Sequence, residues 1–171
     1  MRKLIKILPI VFVLIICTSC NQAAKTPDIT QSFTATAEIC YGDFEGSATI
    51  NKVGHGVWNL EFTAPDTVNQ MKVSYTNGDI QFSLDGISFD VSGKDSMVTT
   101  VPEIIFNAVD ELSGNNETLT AEQNDTQIIV KFEKDDKKYI LTFDKKSGAL
   151  ATLDVPKDEI SITFADYKVN A

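Results

Sequence analysis

The sequence predicts a mainly β fold, with about eleven antiparallel strands and one helix. Three observations carry this. From Phe33 onward apolar and polar residues alternate with a period of two. The alternating runs are separated by short turn-forming pairs such as Asn77-Gly78 and Asp85-Gly86. Only one stretch, from Val101 to Gly114, shows the spacing of an amphipathic helix.

The first segment is not part of that fold. Arg2, Lys3 and Lys6 precede an apolar run from Ile7 to Cys17, which ends at Thr18-Ser19-Cys20. These are the three parts of an export signal. The run falls short of the roughly 20 apolar residues that span a bilayer. Residues 1–19 are therefore expected to be a removable signal peptide. A small residue directly before a cysteine resembles the bacterial lipobox. That resemblance implies that Cys20 becomes a diacylglyceryl-bearing N-terminus, anchored at the outer leaflet of the cytoplasmic membrane, or at the outer membrane of a two-membrane host. Cys17 departs from the aliphatic residue usual at its place. The alternative is a soluble secreted protein cut after Ser19 or near Ala23-Ala24. Two or three acyl chains would hold stably, at about 0.8 kcal/mol per buried CH₂. The polar stretch through residue 30, with Pro27, reads as a tether. Residues 31–171 form one domain.

The strands follow in order. Phe33, Ala35, Ala37, Ile39 and Tyr41 share one face, and Thr34, Thr36, Glu38 and Cys40 the other. After Gly42-Asp43 come Phe44, Ala48 and Ile50, then Trp58, Leu60 and Phe62, then Met71, Val73 and Tyr75. Asn77-Gly78 suits a type I′ turn, in which both central residues need positive φ. Ile80, Phe82 and Leu84 lead to Asp85-Gly86 and into Ile87, Phe89 and Val91. Pro102 suits a first helical position and Gly114 a C-terminal stop, with Val101, Ile105, Ala108, Val109 and Leu112 as the apolar stripe. Strands resume at Leu119 and Ala121, Ile128 to Phe132, Tyr139 to Phe143, Ala149 to Val155 and Ile160 to Phe164.

Tight turns make these strands antiparallel, and clean alternation gives the sheet one apolar face. One helix of about twelve residues, roughly 18 Å long, is too small to cover that face. Either the sheet curls around the helix, leaving an apolar cavity, or it folds into a β-sandwich whose halves cover each other.

Charge and composition exclude several functions. All 24 acidic residues lie beyond Cys20, while Arg2, Lys3 and Lys6 lie in the signal, so the mature chain carries −12. Nucleic acid is excluded as a partner, because phosphate backbones require a basic footprint. Docking of the domain face on an anionic membrane is excluded for the same reason. Cys40 is the one cysteine left, and is expected to be a small half-buried side chain on a strand. His55, between Gly54 and Gly56, reads as a solvated imidazole on a flexible hairpin tip. Asp135-Asp136 lacks the alternate oxygens and glycine of a calcium loop. With no phosphate loop, nucleophile elbow, metal-ligand set or cofactor motif, the chain is expected to be no enzyme and to carry no metal or cofactor.

The run Trp58-Asn59-Leu60-Glu61-Phe62-Thr63-Ala64-Pro65, then Met71-Lys72-Val73-Ser74-Tyr75 and Asn77-Gly78-Asp79-Ile80, resembles the early strands of lipoprotein-carrier proteins of the LolA/LolB type. The opening strand, the mid-chain helix and the closing Ile160-Ser161-Ile162-Thr163-Phe164 strand fall in the same order. The resemblance implies an unclosed barrel, a strongly curved sheet with a helical lid, whose interior receives acyl chains. Two features of the type are missing. The stretch Ala64 to Gln70 has only Val68 where LolB-type receptors expose a leucine, and no arginine remains once Arg2 is removed. The resemblance thus implies a surface-anchored relative rather than a carrier between two membranes.

Trp58, Phe62, Met71, Tyr75, Phe82, Phe89 and Phe106 are the residues expected to line a hydrophobic cavity. The expected function is binding of a lipid, acyl chain or other amphipathic ligand in the concave face. The alternative is an envelope sensor or interaction module with a protein partner and no small ligand. Nothing in the sequence fixes an oligomeric state.

Overall fold

The alternation along residues 33–41 becomes strand β1 (Phe33–Tyr41), with Phe33, Ala35, Ala37 and Ile39 buried and Thr36, Glu38 and Cys40 exposed. The structure, a computed structural model, describes residues 27, 29–89, 97–114 and 119–170. The expected signal segment, Cys20 and the first part of the expected tether lie outside them. Cys40 is exposed rather than half-buried, because its position in the period-two pattern points away from the core.

The chain continues as a meander. β2 (Phe44–Gly54), β3 (Val57–Ala64), β4 (Lys72–Thr76), β5 (Asp79–Leu84) and β6 (Ile87–Phe89) lead to helix α1 (Met97–Gly114). Then come β7 (Thr120–Gln123), β8 (Gln127–Lys134), β9 (Lys137–Asp144), β10 (Leu150–Val155), a 3-10 turn (Pro156–Asp158) and β11 (Ile160–Val169). Turn chemistry behaves as expected: Asn77 and Gly78, Asp85 and Gly86, and Asp135 and Asp136 all take positive φ.

All eleven strands form one sheet in the order β6-β5-β4-β3-β2-β1-β11-β10-β9-β8-β7. Every strand pairing among the described residues is antiparallel, and the edge strands β6 and β7 are not paired with each other. The sheet is therefore curved and unclosed, and the β-sandwich alternative is set aside. The first and last strands meet at its centre. The helix lies in sequence between the two edges.

The register of the central seam carries a bulge. Thr34 faces Lys168 but Thr36 faces Ala165, and Asp166 takes φ 51. One extra residue shifts the alternation. Ile160, Ile162 and Phe164 face inward, and after the bulge Tyr167 packs against the core instead of Asp166. The Tyr167 ring stacks on Phe33 at 4.6 Å. The closing strand is consequently five residues longer than the run ending at Phe164.

The helix differs from its expected start. It begins at Met97, so Pro102 lies inside it rather than at the first position. Val101 is buried on the same side as Ile105, Ala108, Val109 and Leu112, and Thr99 is buried about 160° from Val101 around the axis. Burial of these residues extends the helix upstream, at the loss of the one backbone bond that proline cannot donate.

Lys52 closes the end of the sheet where β1 starts. It is fully buried, and Nζ donates to the carbonyls of Ile29 at 2.6 Å, Thr30 at 3.1 Å and Gln31 at 3.5 Å. Its ammonium lies 5.8 Å from the Trp58 ring centroid, close enough for a cation–π contribution. Ile29 itself is buried in the core. The stretch expected to be free tether is thus held by the domain from Ile29 onward. Lys52→Met keeps the apolar stem but strips these carbonyls of their donor. It should lower unfolding stability by about 2 to 3 kcal/mol and speed hydrogen exchange and proteolysis around residues 29–31. Unchanged protection there would show that the lysine does not hold the segment.

Candidate functional site

The concave face is covered by α1. Ile104, Ile105, Phe106, Val109 and Leu112 join the inward residues of both sheet halves in one continuous cluster. At its centre, Phe106 packs on Trp58 with ring centroids 5.4 Å apart and on Tyr75 at 4.8 Å, while Phe33 meets Trp58 edge-on at 5.7 Å. A buried indole needs a partner for its N–H. Trp58 Nε1 donates to both oxygens of Asp110, each at 3.3 Å. Asp110 lies one helical turn after Phe106, so one stretch of helix supplies both the ring above Trp58 and the carboxylate for its N–H.

The expected cavity-lining residues divide as follows. Trp58, Phe62, Phe82 and Phe106 are fully buried and belong to the cluster. Met71 and Tyr75 are half-buried and pack against it. Phe89 ends β6 with its Cα opposite Phe82, and its side chain lies outside the described part. The structure brings Trp58, Tyr75 and Phe106 together under the helix.

Polar groups fasten the helix at its rim. Lys134 Nζ is 3.0 Å from Glu111 Oε2, and His55 Nδ1 is 3.9 Å from Asp110 Oδ1. His55 is exposed as expected, but the backbone of its hairpin is pinned, because Asn77 N donates to Gly56 O at 2.8 Å. Val68 is buried, and the loop after β3 turns back on itself through Val68 N to Pro65 O and Gln70 N to Phe62 O. No apolar residue protrudes from that loop, in keeping with the departure from the LolB pattern. Among the described residues, no group of three His, Cys, Asp or Glu side chains converges as a metal site would require.

At the other rim, Tyr41, Thr100, Glu103, Ile104, Asn107, Asp135, Lys137, Tyr139 and Asp158 line a cleft of about 290 Å³. Sequence reading missed this group, because its members come from five separate elements and none stands in a motif. Burial, with Asp158, Asp135 and Glu103 adding negative charge nearby, pushes the Tyr139 phenol up to about 12.

No family model and no curated protein sequence matches the chain. Solved structures do. An uncharacterized conserved protein from Thermus thermophilus superposes with a TM-score of 0.53 at 10% identity, covering 83% of this chain and 80% of that one. The likeness is one of fold. A LolA superfamily protein from Nitrosomonas europaea matches with a TM-score of 0.49 at 10% identity, over 87% of this chain and 90% of that one. The MucB structure in the Pseudomonas aeruginosa MucA/MucB complex gives 0.45 at 13% identity, and this chain spans about half of it (52%). The arrangement expected from the sequence, a helix over the apolar face of an unclosed sheet, is present.

Tyrosinate absorbance tests the rim. The titration should show a component near pH 12 that disappears in Tyr139→Phe. A phenol raised from 10.0 to about 12 favours folding fully below pH 10, and that contribution fades as pH climbs toward 12. Alkaline unfolding should therefore begin at higher pH in Tyr139→Phe than in the parent.

Proposed function

We propose that this protein is an extracytoplasmic lipoprotein, anchored through Cys20, that binds an apolar or amphipathic molecule such as a lipid or acyl chain between α1 and the concave face. The observation that carries the reading is the helix over an unclosed sheet, with Phe106 seated on Trp58 and Tyr75. The closed arrangement described here is the unloaded state, and α1 moves outward to admit the ligand.

The energetics favour such a movement. Exchanging helix contacts for ligand contacts conserves apolar burial, and each methylene taken from water returns about 0.8 kcal/mol. An acyl chain of about ten methylenes thus supplies roughly 8 kcal/mol toward lifting part of the helix. The fastenings at the rim are weak by comparison. The half-exposed Lys134–Glu111 pair contributes at most about 1 kcal/mol. Trp58 Nε1 and Asp110 can rebond to water once the cleft opens. The mature charge of −12 leaves the reading unaffected, because the ligand meets the apolar face.

Trp58 is the single tryptophan and lies under the helix, so it reports on loading. Adding a brominated fatty acid should quench its emission saturably. Native mass spectrometry of the gently extracted protein should show an adduct of acyl-chain mass. No quenching together with no adduct would sink the ligand reading. Anchoring is tested separately: Cys20→Ser should move the protein from the membrane to the soluble fraction and remove the acyl mass from its N-terminus. A Cys20→Ser protein that stays membrane-bound would refute anchoring through this residue.

A further inference from the structure

The cleft at the rim lies at the far end of β1 from the N-terminal segment, since Tyr41 lines it and Phe33 follows the clamped residues 29–31. Its carboxylates come from three elements: Glu103 from α1, Asp135 from the β8–β9 turn and Asp158 from the 3-10 turn. Lys137 is the one cationic side chain in the lining. Lys137 Nζ is 2.8 Å from Asp158 Oδ2, and neither Glu103 nor Asp135 makes an ion pair among the described residues. The cleft therefore holds an excess of two negative charges. Even the one ion pair is incomplete, because Oδ2 is shielded from solvent yet meets no donor with hydrogen-bond geometry.

Tyr139 presents a further polar group to the cleft. It is 2% exposed, its ring stacks on Phe132 at 4.9 Å and 4°, and its hydroxyl makes no hydrogen bond to any described residue. The hydroxyl itself is not sealed off, since among the described residues the solvent-shielded side-chain oxygen without a hydrogen bond is Asp158 Oδ2. Tyr139 lines the cleft with Asp158, Asp135 and Glu103, and its neutral form is kept by burial.

The chemistry selects the class of occupant. An anion is repelled by Glu103, Asp135 and Asp158. A bare divalent cation needs oxygens at about 2.0 to 2.6 Å, and no such set converges among the described residues. A primary ammonium carries one positive charge and three donors, and the lining offers it the oxygens of Tyr139, Asp158, Thr100 and Asn107. Tyr41 adds an aromatic wall for the cation. The volume of about 290 Å³ equals roughly ten waters at ~30 Å³ each. That suits a headgroup-sized molecule, and the charged lining disfavours a lipid tail.

We propose that this cleft binds the primary ammonium group of a small amine, either free or as the ethanolamine headgroup of a phospholipid. The site is separate from the concave face, and it stands whether or not an apolar ligand binds under α1.

The test uses the full chain in detergent, titrated with ethanolamine, with short-chain phosphatidylethanolamine and with the matching phosphatidylglycerol. Binding is read by calorimetry and by the amide resonances of Thr100 and Asn107. Ethanolamine should bind saturably, with a dissociation constant on the order of 1 mM, and phosphatidylglycerol should not shift those resonances. Tyr139→Phe, which keeps the ring on Phe132, should weaken binding about tenfold, and Asp158→Asn at least as much. If Asp158→Asn does not fold, Tyr139→Phe decides alone. Phosphatidylethanolamine binding about tenfold tighter than ethanolamine assigns the headgroup of a lipid, and equal binding assigns a free amine. Absence of saturable ammonium binding, or binding that the folded variants leave unchanged, overturns the proposal.

Discussion

The pairing of β1 with β11 is the contact on which the rest of the structure depends. It joins the first and last strands of the domain into the middle of the sheet. Each half is a meander of short hairpins that forms from neighbouring residues. Neither half covers its own apolar face. Only when the two halves are joined along this seam do Ile39, Ile50, Leu60 and Val73 on one side share a core with Ile162, Leu153, Leu141 and Val130 on the other. Such a contact between chain ends is expensive in loop entropy and slow to form. The bulge at Asp166 fits this place, because it bends the seam and brings Tyr167 onto Phe33.

The same topology explains the helix. A chain that begins and ends at the centre of a sheet must pass from one edge to the other at its midpoint, and α1 makes that crossing. It thereby lies over the face that the curved sheet would otherwise leave wet. A single residue pair, Phe106 with Asp110, gives the crossing its register. One sets a ring on Trp58 and the other accepts its N–H. Shifting the helix by one residue would break both contacts. The interior is apolar apart from Lys52 and Thr99, and a polar contact, Trp58 to Asp110, helps align helix on sheet.

Much of this was legible along the chain. Period-two runs, Asn-Gly and Asp-Gly turns and a single helical stripe gave the number of strands, their antiparallel sense and one cover helix, because each is a local signal. The curl of the sheet was not local. The residues alone left a sandwich open, and only the resemblance favoured the unclosed form. Pro102 misled the helix start, since a proline fits both a first turn and a later buried position with one bond lost. Cys40 needed only its parity, and was better read from Ile39 beside it than from cysteine averages. Trp58, Phe62 and Phe82 are buried, as their alternation suggests, and so is Phe106, yet a core and a pocket use the same side chains. Composition therefore carried no information on whether Trp58 or Phe62 meets a ligand. Tyr139, Asp158 and Glu103 were beyond reach, because only the fold brings them to one rim. Lys52 was the hardest to foresee, for a lone lysine among alternating residues looks like solvent-facing chain.

The grip of Lys52 on the carbonyls of residues 29–31 also has a mechanical meaning. β1 is the sixth of eleven strands in the sheet order and has a full ladder on each side, to β2 and to β11. A force applied through the residues before Ile29 reaches the ammonium clamp first and then acts along β1. There it must shear two ladders at once, instead of unzipping the bonds of an edge strand one after another. The domain is therefore built to resist tension at its N-terminal end and to yield at β6 or β7 when grasped elsewhere. A chain tugged from that end would keep its helix seated on Trp58 until the central strand itself slips.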